Sequence, residues 1–388
     1  MKRQSFHRLS FLIHSWMGLW FSLLMTFLSI TGTLAIFSLE MDWLVHPEMR
    51  AQERVNADDV AWGAAFDSLR EEYPEYTFFT ISRLKGDYFN LLAGGRTPWD
   101  EDVRAWLQPH NGELAGITRW YSIQRFFREL HRNLFMRTPI GVPIVSFLSL
   151  PLLVSLGAGF IVYKKFWRGF FRKPRWGRNA RILTGDLHRL TGLWTSWFIA
   201  LIALTSLFYL VESGGYYGWR PWDRYASPPQ ILDPMEREEV YPANFSGEDI
   251  NLAVAAAKAE LPGLDVAGVG LLANDRSWLQ INGNLSATLV RQRANVVYVD
   301  PIDGSVLGST RGEDLSAMGR ISEAADPLHF GYFGGIFTRI LWFLLGLGMV
   351  GLSFTGVIIY TKRLLLKEKS ADSRAKVLSQ EEQPLTNN

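Results

Sequence analysis

Four apolar stretches punctuate the chain: Phe11 to Phe37, Ile140 to Tyr163, Leu187 to Val211 and Ile340 to Tyr360. Each supplies the roughly 20 residues that an α-helix, rising about 1.5 Å per residue, needs to cross a hydrocarbon layer. The first is too long for a signal-peptide core and has no small-residue cleavage site, so it is read as a retained helix. Between the stretches the pattern changes. "NADDVAWGAAFDSLREEYP" leads through alternating runs to "RAWLQPHNGELAGI", and "GEDINLAVAAAKAELPG" leads to "NVVYVDPIDGSVLGS". Both read as a helix followed by strands.

These elements predict a polytopic α-helical membrane protein with four transmembrane helices and two outer α+β domains. The expected boundaries are an N-terminus and first helix over 1–39, an outer domain over 40–138 and a second helix over 139–163. A basic loop over 164–186, a third helix over 187–212, a second outer domain over 213–335, a fourth helix over 336–361 and a polar tail over 362–388 complete the chain. From about Leu366 that tail is rich in charge, Gln, Ser and Asn, and is expected to be disordered.

Charge adds orientation. The connector "KKFWRGFFRKPRWGRNAR" carries eight Lys/Arg and no acid, and both the amino end and the segment after Tyr360 are basic. Basic residues mark the cytoplasmic side. Both termini and the connector are therefore expected in the cytoplasm and the two large loops outside, which in a bacterium is the periplasm. Composition agrees: 48% of the 388 residues are hydrophobic, with 15 Trp. The chain has no cysteine, which excludes disulfides and a C-x-x-C-H site for covalent haem. No nucleotide-binding Gly-rich loop follows a strand, and no Walker motif occurs, so NAD(P)H, flavin and ATP are not expected. Nor is a nucleic acid.

The chain repeats itself. "HSWMGLW" at 14–20 returns as "HRLTGLW" at 188–194, and "RELHRNLF" around His131 is answered by "DPLHFGYF" around His329. The turns "QPHNGELAG" and "DPIDGSVLG" share Pro-x-x-Gly, and the second and fourth apolar runs close on "GFIVYKK" and "GVIIYTK". A pseudo-twofold internal duplication follows, with parallel halves. Four of the seven histidines occupy equivalent positions: His14 with His188 near the cytoplasmic face, and His131 with His329 near the outer face. His7, His46 and His110 have no such counterparts and are assigned surface or structural roles.

On a continuous helix His14, Gly18, Ser22, Met25, Ser29 and Gly32 share one face, as do His188, Gly192, Ser196, Ile199, Ala203 and Ser206. Glycine one turn from a ligating imidazole leaves backbone where a side chain would collide with a flat porphyrin. The bland alternative is that Gly18 and Gly192 only let helices approach closely. It leaves two intramembrane imidazoles unexplained, and such groups mark functional sites. From Arg119 to Arg137 there are five Arg against one Glu, including Arg132 and Arg137. Haem propionates would pair with these guanidinium groups; anionic lipid or an acidic substrate competes. Two haems at opposite faces would suit one-electron transfer.

The signatures "HSWMGLW", "ELHRNLF", "LHRLTGLW" and "DPLHFGYFGG" resemble the PepSY-associated transmembrane proteins of bacterial iron uptake, most closely the FoxB-type periplasmic siderophore reductases. The resemblance spans the chain up to about Lys369. It implies a haem-b inner-membrane oxidoreductase that reduces Fe(III) in a ferric siderophore and releases Fe(II) in the periplasm. His14, His188, His131 and His329 would be the axial ligands of two haem b groups, with membrane quinol as a plausible electron donor. "GGYYGWRPWDRY", with Tyr216, Tyr217, Trp219 and Trp222, is the candidate siderophore surface, or else an interfacial aromatic belt. A siderophore or metal permease, and a membrane-anchored PepSY module that binds a peptidase or other partner, are the competing readings.

Overall fold

The computed structural model describes residues 2–163, 165–217, 244–272 and 278–381. The candidate siderophore surface lies largely outside them: Tyr216 and Tyr217 are described only as helix, and Trp219 and Trp222 fall among the residues left out. The chain divides into two compact units. The first comprises residues 1–34, 131–213 and 340–388; the second comprises 35–130 and 214–339.

The first unit is helical. Helices α1 (Lys2–Trp20) and α2 (Ser22–Ala35) take the place of the single first span, meeting at an angle of 63°. The expected continuous stripe from His14 to Gly32 is therefore broken. Gly18 and Ser22 flank the bend, and the Ser22 hydroxyl donates to the Leu19 carbonyl at 2.7 Å. A Gly/Ser pair with such back-bonding is a common cause of a kink. The second span is also two helices, α6 (Thr138–Phe147) and α7 (Ser149–Val162). Pro151, lacking an N–H, cannot bond the Phe147 carbonyl and opens the ladder between them.

The third span lies within α8 (Ala180–Tyr217), longer than expected at 38 residues. Its start is set by Asn179, whose side chain accepts from the Ile182 N–H at 3.1 Å. Asp186 accepts a bidentate pair from Arg175 at 2.8 and 2.9 Å and is bonded by Arg189, tying the basic connector to this helix. The fourth span opens α11 (Gly335–Glu381), which continues as helix through most of the tail expected to be disordered. That segment contains no Gly or Pro before Pro384, and its Lys, Leu, Glu, Ala and Arg are good helix formers. Among the described residues, three helices are long and apolar enough to cross a membrane, or four if the bent α1/α2 pair is one span.

In the second unit the strands of the two expected outer domains share one sheet. Strands β1 (Thr77–Ser82), β2 (Leu91–Arg96), β3 (Asp102–Leu107) and β4 (Leu114–Arg119) form one antiparallel meander. Strands β5 (Asp265–Gly270), β6 (Leu279–Asn284), β7 (Val296–Val299) and β8 (Val306–Thr310) form another. Each meander would leave its first strand as an open edge, a liability in water. Here β1 pairs with β5, Ile81 opposite Val269, giving one eight-stranded sheet in the order β4-β3-β2-β1-β5-β6-β7-β8.

Helices α4 (Trp62–Glu72) and α9 (Gly247–Glu260) pack on this sheet in a single core that includes Trp62, Phe66, Ile81, Ile250, Val254 and Ile281. Their crossing is reciprocal. The Gly63 N–H donates to Asn251 at 3.1 Å, the Gly247 N–H donates to Asp67 at 2.7 Å, and a Cβ on either glycine would clash with the other's carbonyl oxygen. The two Pro-x-x-Gly turns occur as expected, with φ of 77° at Gly112 and 71° at Gly304. Helices α3 (Ser38–Val45), α5 (Ile123–Asn133) and α10 (Ala317–Phe330) also contribute to this unit. Buried Asp42 on α3 caps α5 by accepting from the Ile123 and Gln124 N–H groups at 2.8 and 3.1 Å. At the other end Glu40 holds Arg339, the two charges meeting beside the Tyr88 hydroxyl.

Candidate functional site

His14 and His188 come together in the first unit. Their ring centres are 6.3 Å apart and their planes inclined by 71°. Two imidazoles on opposite sides of one metal ion would each contribute about 2.0 Å of metal–nitrogen bond and roughly 1.1 Å from nitrogen to ring centre, or about 6.2 Å in all. Rotation about those bonds leaves the separation unchanged, so the inclination is compatible.

The hydrogen bonds assign the tautomers. His14 Nδ1 lies 2.9 Å from the Ser155 carbonyl on α7, which can only accept. His188 Nδ1 lies 3.0 Å from the Thr355 hydroxyl on α11, whose proton is already directed to the Gly351 and Leu352 carbonyls at 2.8 and 3.0 Å. Both rings therefore carry the proton on Nδ1 and keep the Nε2 lone pair, the arrangement in which a second partner orients a metal-ligating histidine.

His131 follows the same rule against α2. Its Nδ1 lies 3.0 Å from the Leu28 carbonyl, with the Thr31 hydroxyl at 3.4 Å. A Cβ on Gly32 would come within 2.5 Å of the His131 ring. Packing pushes the imidazole below its ordinary pKa, opposed by the bond to Leu28, so the neutral form is favoured. Beyond it, Leu134 and Phe135 adopt successive left-handed conformations, φ 55° and 58°, and turn the chain from α5 into α6. His329 lies near the end of α10 in the second unit, its ring 5.5 Å from that of Phe330.

Each of the three rings meets a helix where glycine lies four residues after an exposed carbonyl. The pairs are Ser155 with Gly159 for His14, Leu352 with Gly356 for His188, and Leu28 with Gly32 for His131. Helical side chains lean toward the N-terminus and cover the turn before them, so glycine there uncovers the carbonyl to a lateral donor. Gly159 and Gly356 open the repeated "GFIVYKK" and "GVIIYTK" runs, a signal present in the sequence but legible only with the partner helices in place.

The two glycines singled out from the sequence behave differently. A Cβ on Gly18 would meet nothing within 4 Å, so close helix packing does not explain it; on Gly192 it would touch Leu352 at 3.4 Å. Arg132 and Arg137 are exposed and have no ion-pair partner among the described residues. His46 contacts Glu48 at 3.3 Å. Among the described residues no three His, Asp or Glu side chains gather to hold a metal ion.

An uncharacterized protein of Pseudomonas aeruginosa is 25% identical to this chain over 271 residues. The match covers 64% of this chain and 65% of that relative, so it spans a little less than two thirds of the relative's length. The profile of the PepSY-associated TM region matches residues 11–363, nearly the whole chain, and the protein therefore belongs to the PepSY-associated transmembrane family.

Proposed function

We propose that this protein is an inner-membrane haem-b reductase that passes electrons across the bilayer to Fe(III) in a ferric siderophore and releases Fe(II) in the periplasm, with membrane quinol as donor. The observation that carries the reading is the approach of His14 and His188 to 6.3 Å between ring centres, with both Nδ1 atoms engaged and both Nε2 atoms left as donors of a lone pair. Two imidazoles are too few to hold a bare metal ion well, but they complete the coordination of one whose remaining positions a macrocycle fills. When bound, haem b supplies one-electron chemistry between ferric and ferrous iron.

The chain's own contribution is orientation. Ser155 and Thr355 fix the two rings, and Gly159 and Gly356 lie against them. A second haem is proposed between His131 and His329, from their recurrence in the two halves of a duplicated chain; the reciprocal Gly63/Gly247 crossing supports that duplication. Siderophore oxygens bind hard Fe(III) better than Fe(II), so one added electron loosens the complex without a general acid, base or nucleophile. The periplasmic placement of the sheet unit, with cytoplasmic termini, rests on the basic connector.

The test is an oxidised and a reduced visible spectrum of the purified protein, with haem measured per chain. Near two b-type haems, reoxidised by a ferric siderophore, are expected. Full haem content after replacement of both His14 and His131 would refute the assignment.

A further inference from the structure

The basic connector does not simply project beyond the spans that it joins. After α7 the chain reverses at Lys165, which takes a left-handed conformation with φ 59°, and Phe166 returns to set its ring 4.9 Å from that of Phe160 on α7. Further on, the Trp194 indole N–H donates to the Phe170 carbonyl at 2.9 Å. Trp194 lies fourteen residues, about 21 Å, inside the start of α8. The connector then climbs back out, because Arg175 grips Asp186, eight residues nearer the start of that helix. Residues 166–171 are thus held alongside the ends of the spans, with Arg175 farther out.

This stretch presents apolar and cationic groups together. Phe171 is 92% exposed and Trp167 62%, although the backbone beside them is tied to α8. Apolar rings clustered in that way mark a surface that a partner covers. Lys165, Arg168, Arg172 and Lys173 are exposed, and among the described residues their side chains make no hydrogen bond or ion pair. No acid occurs between Tyr163 and Asp186, and Asp186 is taken by Arg175 and Arg189. The protein itself leaves these cations unanswered.

We propose that residues 165–173 form an interfacial segment that binds anionic phospholipid, with Trp167 and Phe171 among the acyl chains and Arg168, Arg172 and Lys173 on headgroup phosphates. A bilayer is the partner already present at this level, since α7 and α8 are both long and apolar enough to enter it. Aromatic rings favour the boundary of the hydrocarbon, long basic side chains reach from it to the headgroups, and a cation cluster beside a span selects lipids of negative charge. A soluble acidic partner would answer the charges, but it would have to enter the headgroup layer to cover rings held level with Trp194. The inference does not depend on the haem reading.

The full-length protein has no cysteine of its own, so one nitroxide label can be placed at Phe171→Cys and, as an aqueous control, at Glu71→Cys on α4. Both are reconstituted in nanodiscs of phosphatidylcholine and phosphatidylglycerol. The label at residue 171 should be relaxed by dissolved oxygen and about tenfold less open than the control to a water-soluble nickel chelate. Each cation at the surface favours an anionic lipid about fivefold, so preference for phosphatidylglycerol, read from lipid retained after detergent extraction, should fall tenfold or more when Arg168, Arg172 and Lys173 are all changed to Gln. Arg168→Lys with Arg172→Lys should keep it. A label at residue 171 as open to the chelate as the control would overturn the proposal and leave the surface to a soluble protein. Undiminished preference in the glutamine variant, or its loss in the lysine variant, would overturn it too.

Discussion

Gly32 lies flat against the His131 imidazole, so close that a methyl group there would reach within 2.5 Å of the ring. The ring in turn bonds the Leu28 carbonyl that the glycine leaves uncovered. The contact is backbone against a buried ring anchored through Nδ1, with little freedom to yield. Gly32→Ala should therefore displace His131 and cost the haem proposed there, with affinity falling on the order of 10- to 100-fold. Haem content and the reduced spectrum of the variant are the measurement; an unchanged spectrum would remove His131 from the ligand set.

Thr355 acts on His188 through a hydroxyl whose own proton is taken by its helix. Thr355→Val keeps the shape and removes the acceptor. Loss of such a partner should lower haem affinity about tenfold at the His14/His188 site. The rate of haem transfer to a competing haem-binding protein would report it. Equal rates would mean that the hydroxyl does not orient the ring.

The crossing of α4 and α9 leaves no room for a side chain. Gly63→Ala should destabilise the sheet unit by about 1–3 kcal/mol through overpacking and strain on the bonds from Gly63 to Asn251 and from Gly247 to Asp67. Thermal unfolding is expected to shift down by several degrees without change in the haem spectrum. A shift confined to the haem bands would contradict the separation of the two units.

In the haem-free protein His131 should make stability pH-dependent. Its folded pKa lies below the ordinary value of about 6.5 that the unfolded chain would show. The unfolded state then binds more protons through that window, so the contribution is complete above about pH 6.5 and is lost as pH falls. The unfolding midpoint should drop between about pH 7 and 5 more steeply in the parent than in His131→Gln. Parallel slopes would show that the ring is as readily protonated in the folded state as in the unfolded chain.

Much of this architecture is local and was readable along the chain. Apolar run length marks the spans, because a bilayer sets a minimum length for any helix crossing it. The helices at 62–72 and 247–260 and the turns at Gly112 and Gly304 follow from periodicity and from the one residue type that tolerates a positive φ. The recurrence of His14 at His188 also needed no coordinates.

What only the tertiary structure decided depends on partners distant in sequence. That the two meanders share one sheet rests on the pairing of β1 with β5, about 190 residues apart, and exposed edges carry no label saying which will meet. The bend at Phe21 arises from Ser22 bonding backward and splits a stripe that sequence spacing alone makes continuous. The rings of His14 and His188 rest against Gly159 and Gly356, on other helices, a contact that spacing along their own helices does not reveal. A histidine's tautomer and aim are set by what it touches, and helix periodicity reports only which residues share a face, not what stands across from it.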